Sequence, residues 1–169
     1  PDSRELAVFD YLNIGEGERS IVMILDALRT KTAIPRVIQS PFIEDLDSLP
    51  FPARDLIDMF AFHRKVNGER CFGIIGSRGC CYRCAFCDHA LFGSKVRWRS
   101  VENIVQEMRE IIDVYNVRNF EFFDDMFTID KKRLRIFYDQ VKELNIRYRC
   151  NGRTDVLDPE IYDLLRTSG

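Results

Sequence analysis

A chain of 169 residues is long enough for one domain with a sizeable core. Its 46% hydrophobic and 31% charged residues give an ordinary soluble profile, and a formal net charge of −2 argues against a broad basic surface for nucleic acid. No run of about 18 apolar residues points to a membrane span, no leader-like segment is visible, and six cysteines with three bunched on one loop do not form a secreted disulfide framework. A reducing, cytoplasmic setting is the expectation.

Residues Ala7 to Ile14 read as a strand that runs into Gly15-Glu16-Gly17-Glu18, a turn opening a helix. Ile21, Ile24, Leu25 and Leu28 recur at helical spacing, which predicts one buried face. Glu16 and Glu18 most simply solvate the turn and favour the positive end of that helix. The stretch from Thr30 to Ala53 is a connector, because Pro35, Pro41, Pro50 and Pro52 forbid a continuous helix. A short helix is expected from Ala53 to about Phe60. The chain starts with Pro1 rather than Met, so it is expected to be a piece of a longer protein.

From Cys71 the pattern becomes strand, loop, helix, repeated three times. Cys71 to Ile75, Phe120 to Phe123 and Ile146 to Cys150 are the strands. Cys71 and Cys150 within them read as small buried residues. The first helix has Ser100 as its cap and Val101, Ile104, Val105, Met108, Ile111 and Ile112 as its apolar stripe. The second carries Leu134, Phe137, Val141 and Leu144 on one face, with Asp130 as cap. The third starts at Asp158-Pro159, aspartate as cap and proline at the first helical position, and buries Ile161, Leu164 and Leu165. Strands alternating with helices imply parallel pairing through right-handed crossovers, hence an α/β fold. A full β/α barrel needs roughly 250 residues. About 100 are available, so a barrel here is incomplete and its third strand has a bare edge.

The strongest chemical signal is Cys80, Cys84 and Cys87, spaced C-x3-C-x2-C within Ser77-Arg78-Gly79-Cys80-Cys81-Tyr82-Arg83-Cys84-Ala85-Phe86-Cys87. Three thiolates on one tight loop can hold three corners of an iron–sulfur cube and leave the fourth iron open to a ligand. A second register, Cys81-x2-Cys84-x2-Cys87, also exists, but no cysteine follows three residues later as in a ferredoxin run, and the Cys80 register is preferred. The bland alternative is a zinc site, which needs four closed ligands; Cys81 or His89 could supply the fourth. In parallel β/α folds the site lies at the carboxyl ends of the strands. Those ends lead here to the cysteines, to Asp124 and Asp125, and to Arg153 and Asp155. Arg97 and Arg99 fit a solvated helix entrance, and His63 a surface position.

The cysteine segment resembles the cluster loop of radical S-adenosylmethionine (radical SAM) enzymes. More closely, the chain resembles the branch in which a cobalamin-binding domain precedes the radical domain. Gly15-Glu16-Gly17-Glu18 is similar to a segment near the end of that binding domain, Leu46 to Asp55 to the linker, and Phe122-Phe123-Asp124-Asp125-Met126-Phe127 and the Arg153–Asp155 region to later landmarks. The resemblance implies residues 1–29 as the remnant of an α/β cobalamin-type domain, 30–66 as a Pro-rich linker and 67–169 as the first three βα units of a radical SAM barrel. It implies a [4Fe–4S] cluster on Cys80, Cys84 and Cys87, with S-adenosylmethionine chelated at the open iron and cleaved to a 5′-deoxyadenosyl radical. Phe86, before the last cysteine, would lie against adenine. Many relatives hold the amino group with Gly-Gly-Glu after the second strand; this chain has Asp124-Asp125, of which strand alternation lets only one enter the site. Arg153 would meet the ligand's carboxylate. A small-molecule substrate and a flavodoxin- or ferredoxin-like electron donor are the implied partners, with no nucleic acid or membrane. The cobalamin signature Asp-x-His-x-x-Gly occurs nowhere in the chain, so cobalamin belongs at most to the full-length parent. The alternative function is a non-catalytic iron–sulfur or zinc module, and an unfinished barrel leaves open whether the isolated piece turns over.

Overall fold

A computed structural model describes residues 4–88 and 91–169. His89, considered above as a zinc ligand, lies outside the described residues. In chain order the strands and helices are β1 (Leu12–Ile14), α1 (Glu18–Thr30), β2 (Val37–Gln39), β3 (Lys65–Val66), β4 (Glu69–Arg70), β5 (Phe72–Ile74), β6 (Ser77–Arg78), β7 (Arg97–Trp98), α2 (Val101–Tyr115), β8 (Asn119–Phe122), α3 (Lys131–Val141), β9 (Arg147–Arg149) and α4 (Pro159–Ser168).

β5, β8 and β9 form a three-stranded parallel sheet in that order, Phe72 opposite Phe120 and Phe120 opposite Tyr148. This is the expected run of three βα units, and among the described residues it does not close into a barrel. Alternation along β8 sends Phe120 and Phe122 to one face, where α2, α3 and α4 cover them. Met108, Ile104, Ile111, Val141 and Phe137 fill the layer, each almost wholly buried. Burying side chains of this size stabilises by about 1.5–3 kcal/mol each. Phe122, Phe127, Phe137 and Tyr148 pack as a cluster with four edge-to-face pairs, Phe122–Phe137 at 5.6 Å, Phe122–Tyr148 at 5.7 Å, Phe127–Phe137 at 5.4 Å and Phe137–Tyr148 at 5.6 Å between centroids, a geometry that favours the ring quadrupoles. All three predicted caps form: Ser100 accepts from Asn103 N, Asp130 from Arg133 N and Asp158 from Ile161 N.

On the opposite face Glu121 of β8 is paired with Arg64 and Arg149. β3 and β4 form a hairpin whose central residues Asn67 and Gly68 have φ of 51° and 83°. Two positive φ values are what a two-residue hairpin turn requires, and Asn-Gly supplies them.

The N-terminal part differs from expectation in four ways. Ala7–Ile14 is not one strand: a 3-10 turn over Arg4–Val8 precedes the three-residue β1. The connector contains β2, which pairs parallel with β1, so β1, α1 and β2 form a βαβ unit reaching residue 39. The helix expected from Ala53 is two 3-10 turns, Arg54–Leu56 and Met59–Ala61; Asp58 caps the second one through Phe60 N, which restarts the chain instead of continuing it. The face predicted to be buried on α1 is exposed instead: Ile21, Leu25 and Leu28 are 51%, 57% and 59% accessible, and Ser20 and Ala27 are the buried residues. Helical spacing produced the stripe, but no described element packs over it. Among the described residues no helix is long and apolar enough to cross a membrane.

Candidate functional site

The cysteine loop leaves the carboxyl end of β5 and is closed at its base by β6 and β7, which pair antiparallel with Arg78 opposite Arg97. At the first turn Gly79 has φ of 89°, and a Cβ there would stand 2.4 Å from the Lys95 carbonyl oxygen. Only glycine allows the outgoing chain to pass so close to the returning one. Cys80 N then donates to Gly93 O at 3.3 Å across the loop, and Cys87 N to Cys84 O at 3.0 Å.

Cys80, Cys84 and Cys87 all line one pocket of about 410 Å³, together with Phe86, Tyr82, Asp125 and Arg153. Its floor comes from the loops after β8 and β9, so all three strand ends contribute. The three cysteines are free thiols. Cys81 is exposed and does not line this pocket. As they stand, no three His, Cys, Asp or Glu side chains among the described residues converge closely enough to hold a single metal ion. A cluster spaces its cysteine ligands apart, one per iron, whereas zinc draws four donors onto one centre. Cys80, Cys84 and Cys87 thus offer the three thiolates that a cluster with one open iron takes.

The two aspartates part company. Asp124 is 1% accessible and accepts from Gly76 N and Ser77 Oγ, both at 2.7 Å. Burial pushes its carboxyl above the ordinary range, and the bonds from Ser77 and Gly76 only partly offset this. It ties the loop after β8 to the start of the cysteine loop and does not line the pocket. Asp125 is exposed and lines it.

Arg153 donates from Nη1 to the Cys84 sulfur at 3.1 Å and lies 4.3 Å above the Tyr82 ring. It also forms a two-pronged pair with Asp155, Nη2 to Oδ2 at 2.6 Å and Nε to Oδ1 at 2.9 Å. The hydrogen bonds that Arg153 donates to Asp155 hold the guanidinium charged, above its ordinary range. Phe86 is 93% exposed at the pocket edge, an apolar ring facing open space.

Two features escape sequence reasoning. Tyr82 gives no signal of its own as a platform for Arg153. Arg97 and Glu16, expected to be solvated, are buried against each other at 3% accessibility each. Arg99 likewise pairs with Glu107 and donates to Ile75 O rather than standing in water. Cys71 is buried, and burial raises its thiol above the ordinary range; Cys150 is half-buried, with its thiol pushed up to about 12. His63 is exposed.

A family model described as the radical SAM superfamily matches residues 74–169. Among curated proteins, an uncharacterized methyltransferase of Pyrococcus horikoshii is 27% identical over 183 residues, spanning 98% of this chain and 39% of its own length. The cytidylyl-2-hydroxyethylphosphonate methyltransferase of Streptomyces wedmorensis is 31% identical over 135 residues, 74% of this chain and 25% of its own length. The chain thus spans well under half of these relatives. Among solved structures, the cobalamin-dependent S-adenosylmethionine radical enzyme OxsB, bound to aqua-cobalamin and S-adenosylmethionine, aligns with 92% of this chain and 26% of its own at a TM-score of 0.69 and 15% identity. The radical S-adenosylmethionine methyltransferase TsrM of Kitasatospora setae aligns with 59% of this chain and 20% of its own at 0.53 and 19% identity. These two likenesses concern the fold.

Proposed function

Because the chain belongs to the radical SAM superfamily, we propose that Cys80, Cys84 and Cys87 carry three irons of a [4Fe–4S] cluster and that the pocket beside them receives S-adenosylmethionine. The superfamily uses both groups. Held by these three cysteines, such a cluster would supply one electron to the sulfonium, breaking a carbon–sulfur bond to leave methionine and a 5′-deoxyadenosyl radical. The observation that carries the reading is the meeting of the three thiols with Asp125 and Arg153 in one pocket.

The chain's own residues then have separable tasks. Asp125 accepts from the ligand's ammonium, and Arg153 pairs its carboxylate. Phe86 offers its exposed ring to the adenine. Asp124 holds the loop from behind through Gly76 and Ser77. The βαβ unit from β1 to β2 is the end of an α/β domain joined to the radical core by the Pro-rich connector; the OxsB likeness, which runs over nearly the whole chain, supports this division. Cobalamin belongs at most to a full-length parent, since no Asp-x-His-x-x-Gly is present in this chain. The reaction is placed in a reducing cytoplasm on a small-molecule substrate, with a flavodoxin- or ferredoxin-like donor.

Anaerobic reconstitution with iron and sulfide tests the reading. A brown protein with about four irons per chain, lost in Cys80→Ala, Cys84→Ala and Cys87→Ala but kept in Cys81→Ala, is expected. The full-length parent should release 5′-deoxyadenosine from S-adenosylmethionine under reduction. One zinc per chain and no iron would overturn the assignment in favour of a structural metal site.

A further inference from the structure

Glu16 lies outside the pocket, yet it is buried between the two sides of the cysteine loop's base. Its carboxylate accepts Arg97 Nη1 at 2.9 Å and Nη2 at 2.6 Å, and Ile43 N at 2.7 Å. Arg97 also donates to Ile43 O at 2.7 Å and Phe92 O at 3.3 Å, and stacks 4.7 Å above Phe42. Arg78, across the β6–β7 pair from Arg97, has Nη1 3.4 Å from Glu16 and no hydrogen-bond partner for that nitrogen. Its Nη2 reaches Glu18. One carboxylate therefore faces the guanidinium on the outgoing side of the loop and the guanidinium on the returning side. It does so from the turn between β1 and α1.

We infer that Glu16 is a positioning residue that clamps the base of the cysteine loop shut and couples the loop to the β1–α1–β2 unit. A buried charge left without its partner is strongly unfavourable, so loss of Glu16 leaves Arg78 and Arg97 driving apart the two chains that β6 and β7 bring together. Motion of the β1–α1 turn is transmitted to the loop base through the same contact. The inference rests on the reading of the loop as the cluster site for its functional meaning, and on geometry alone for the clamp.

The test compares the native chain with Glu16→Gln and, as a control that reaches the same loop from the connector, Glu44→Gln, whose partner Lys95 is exposed. Amide hydrogen exchange of the cluster-free chain is measured first. Glu16→Gln is expected to lose about tenfold protection in residues 77–99, with α2, α3 and α4 unchanged, as a local opening does. With the cluster present, iron release to a chelator should quicken by about tenfold, and the electron paramagnetic resonance signal of the reduced cluster with S-adenosylmethionine should split into a mixture. Glu16→Asp should restore part of both effects. Where Glu16→Gln does not fold, Arg97→Lys serves, since an ammonium cannot serve Glu16, Ile43 and Phe92 together. Loop exchange and iron release indistinguishable from Glu44→Gln would overturn the clamp. A native chain that takes up no iron would overturn the site reading, while the exchange comparison still decides the clamp.

Discussion

Arg153 and Cys84 come from opposite walls of the pocket and meet through a 3.1 Å contact from guanidinium to sulfur. Tyr82 backs the guanidinium plane and Asp155 fixes its other edge, so the donor has little freedom to turn away. A cationic donor on a ligand sulfur favours the more negative, reduced state of a cluster. Arg153→Ala should therefore lower the reduction potential of the reconstituted cluster. A hydrogen bond of about 1 kcal/mol corresponds to roughly 40 mV for one electron. A redox titration followed by electron paramagnetic resonance measures it, and an unchanged potential would show that this contact does not persist once iron is bound.

The neighbouring aspartates should respond in opposite ways. Asp124→Ala strands the Gly76 N–H and the Ser77 hydroxyl in a buried place, a loss of about 1–3 kcal/mol per group. Its melting temperature should fall clearly. Asp125→Ala removes an exposed side chain and should change stability by about 0.5 kcal/mol or less, while weakening S-adenosylmethionine binding. Calorimetry and thermal melts on both variants separate the roles; equal loss of ligand affinity without loss of stability at Asp124 would reverse them.

Gly79→Ala places a methyl group 2.4 Å from a backbone oxygen at a φ of 89°. Strain of this kind costs about 1–3 kcal/mol, and it falls one residue before Cys80, the first of the proposed ligands. Lower iron uptake at unchanged helix content is expected by metal analysis and circular dichroism. Full uptake would mean that the loop crosses elsewhere when loaded.

Acid should dissolve the contribution of Glu16. Burial works to raise its carboxyl, but the Arg97 hydrogen bonds, Ile43 N and the charges of Arg78 and Arg97 outweigh it and hold it below the ordinary 4.5. A carboxyl depressed in the fold contributes stability that is present above its unfolded value and is lost as pH falls through the lower folded value. The gap in melting temperature between the native cluster-free chain and Glu16→Gln should thus be widest above the ordinary carboxylate range and shrink as the pH falls below it. A gap that stays constant would assign the effect to packing rather than charge.

Local chemistry made much of the radical core readable. Ser100, Asp130 and Asp158 announce α2, α3 and α4 because a cap needs only its own side chain and an amide two or three residues on. The Phe120 and Phe122 alternation and the cysteine spacing are equally local. The parts that stayed hidden are settled by distant partners. β2 is three residues between two prolines and becomes a strand only because β1 lies beside it. Glu16 looks like any turn glutamate until Arg97, 81 positions away, arrives against it. Asp124 and Asp125 are indistinguishable in sequence, and Gly76 with Ser77 decides which one turns inward. The Asn67-Gly68 hairpin carried a readable signal that the apolar pattern around it obscured.

Asn151 joins the loops that carry Asp125 and Arg153: its amide donates to Asp124 O at 3.2 Å, and its own carbonyl accepts from Phe127 N at 3.0 Å. A negative and a positive side chain are thereby mounted on one brace, with a separation that the brace sets. A shift of either loop therefore carries the other with it, so the two charges keep their spacing when this wall of the pocket moves.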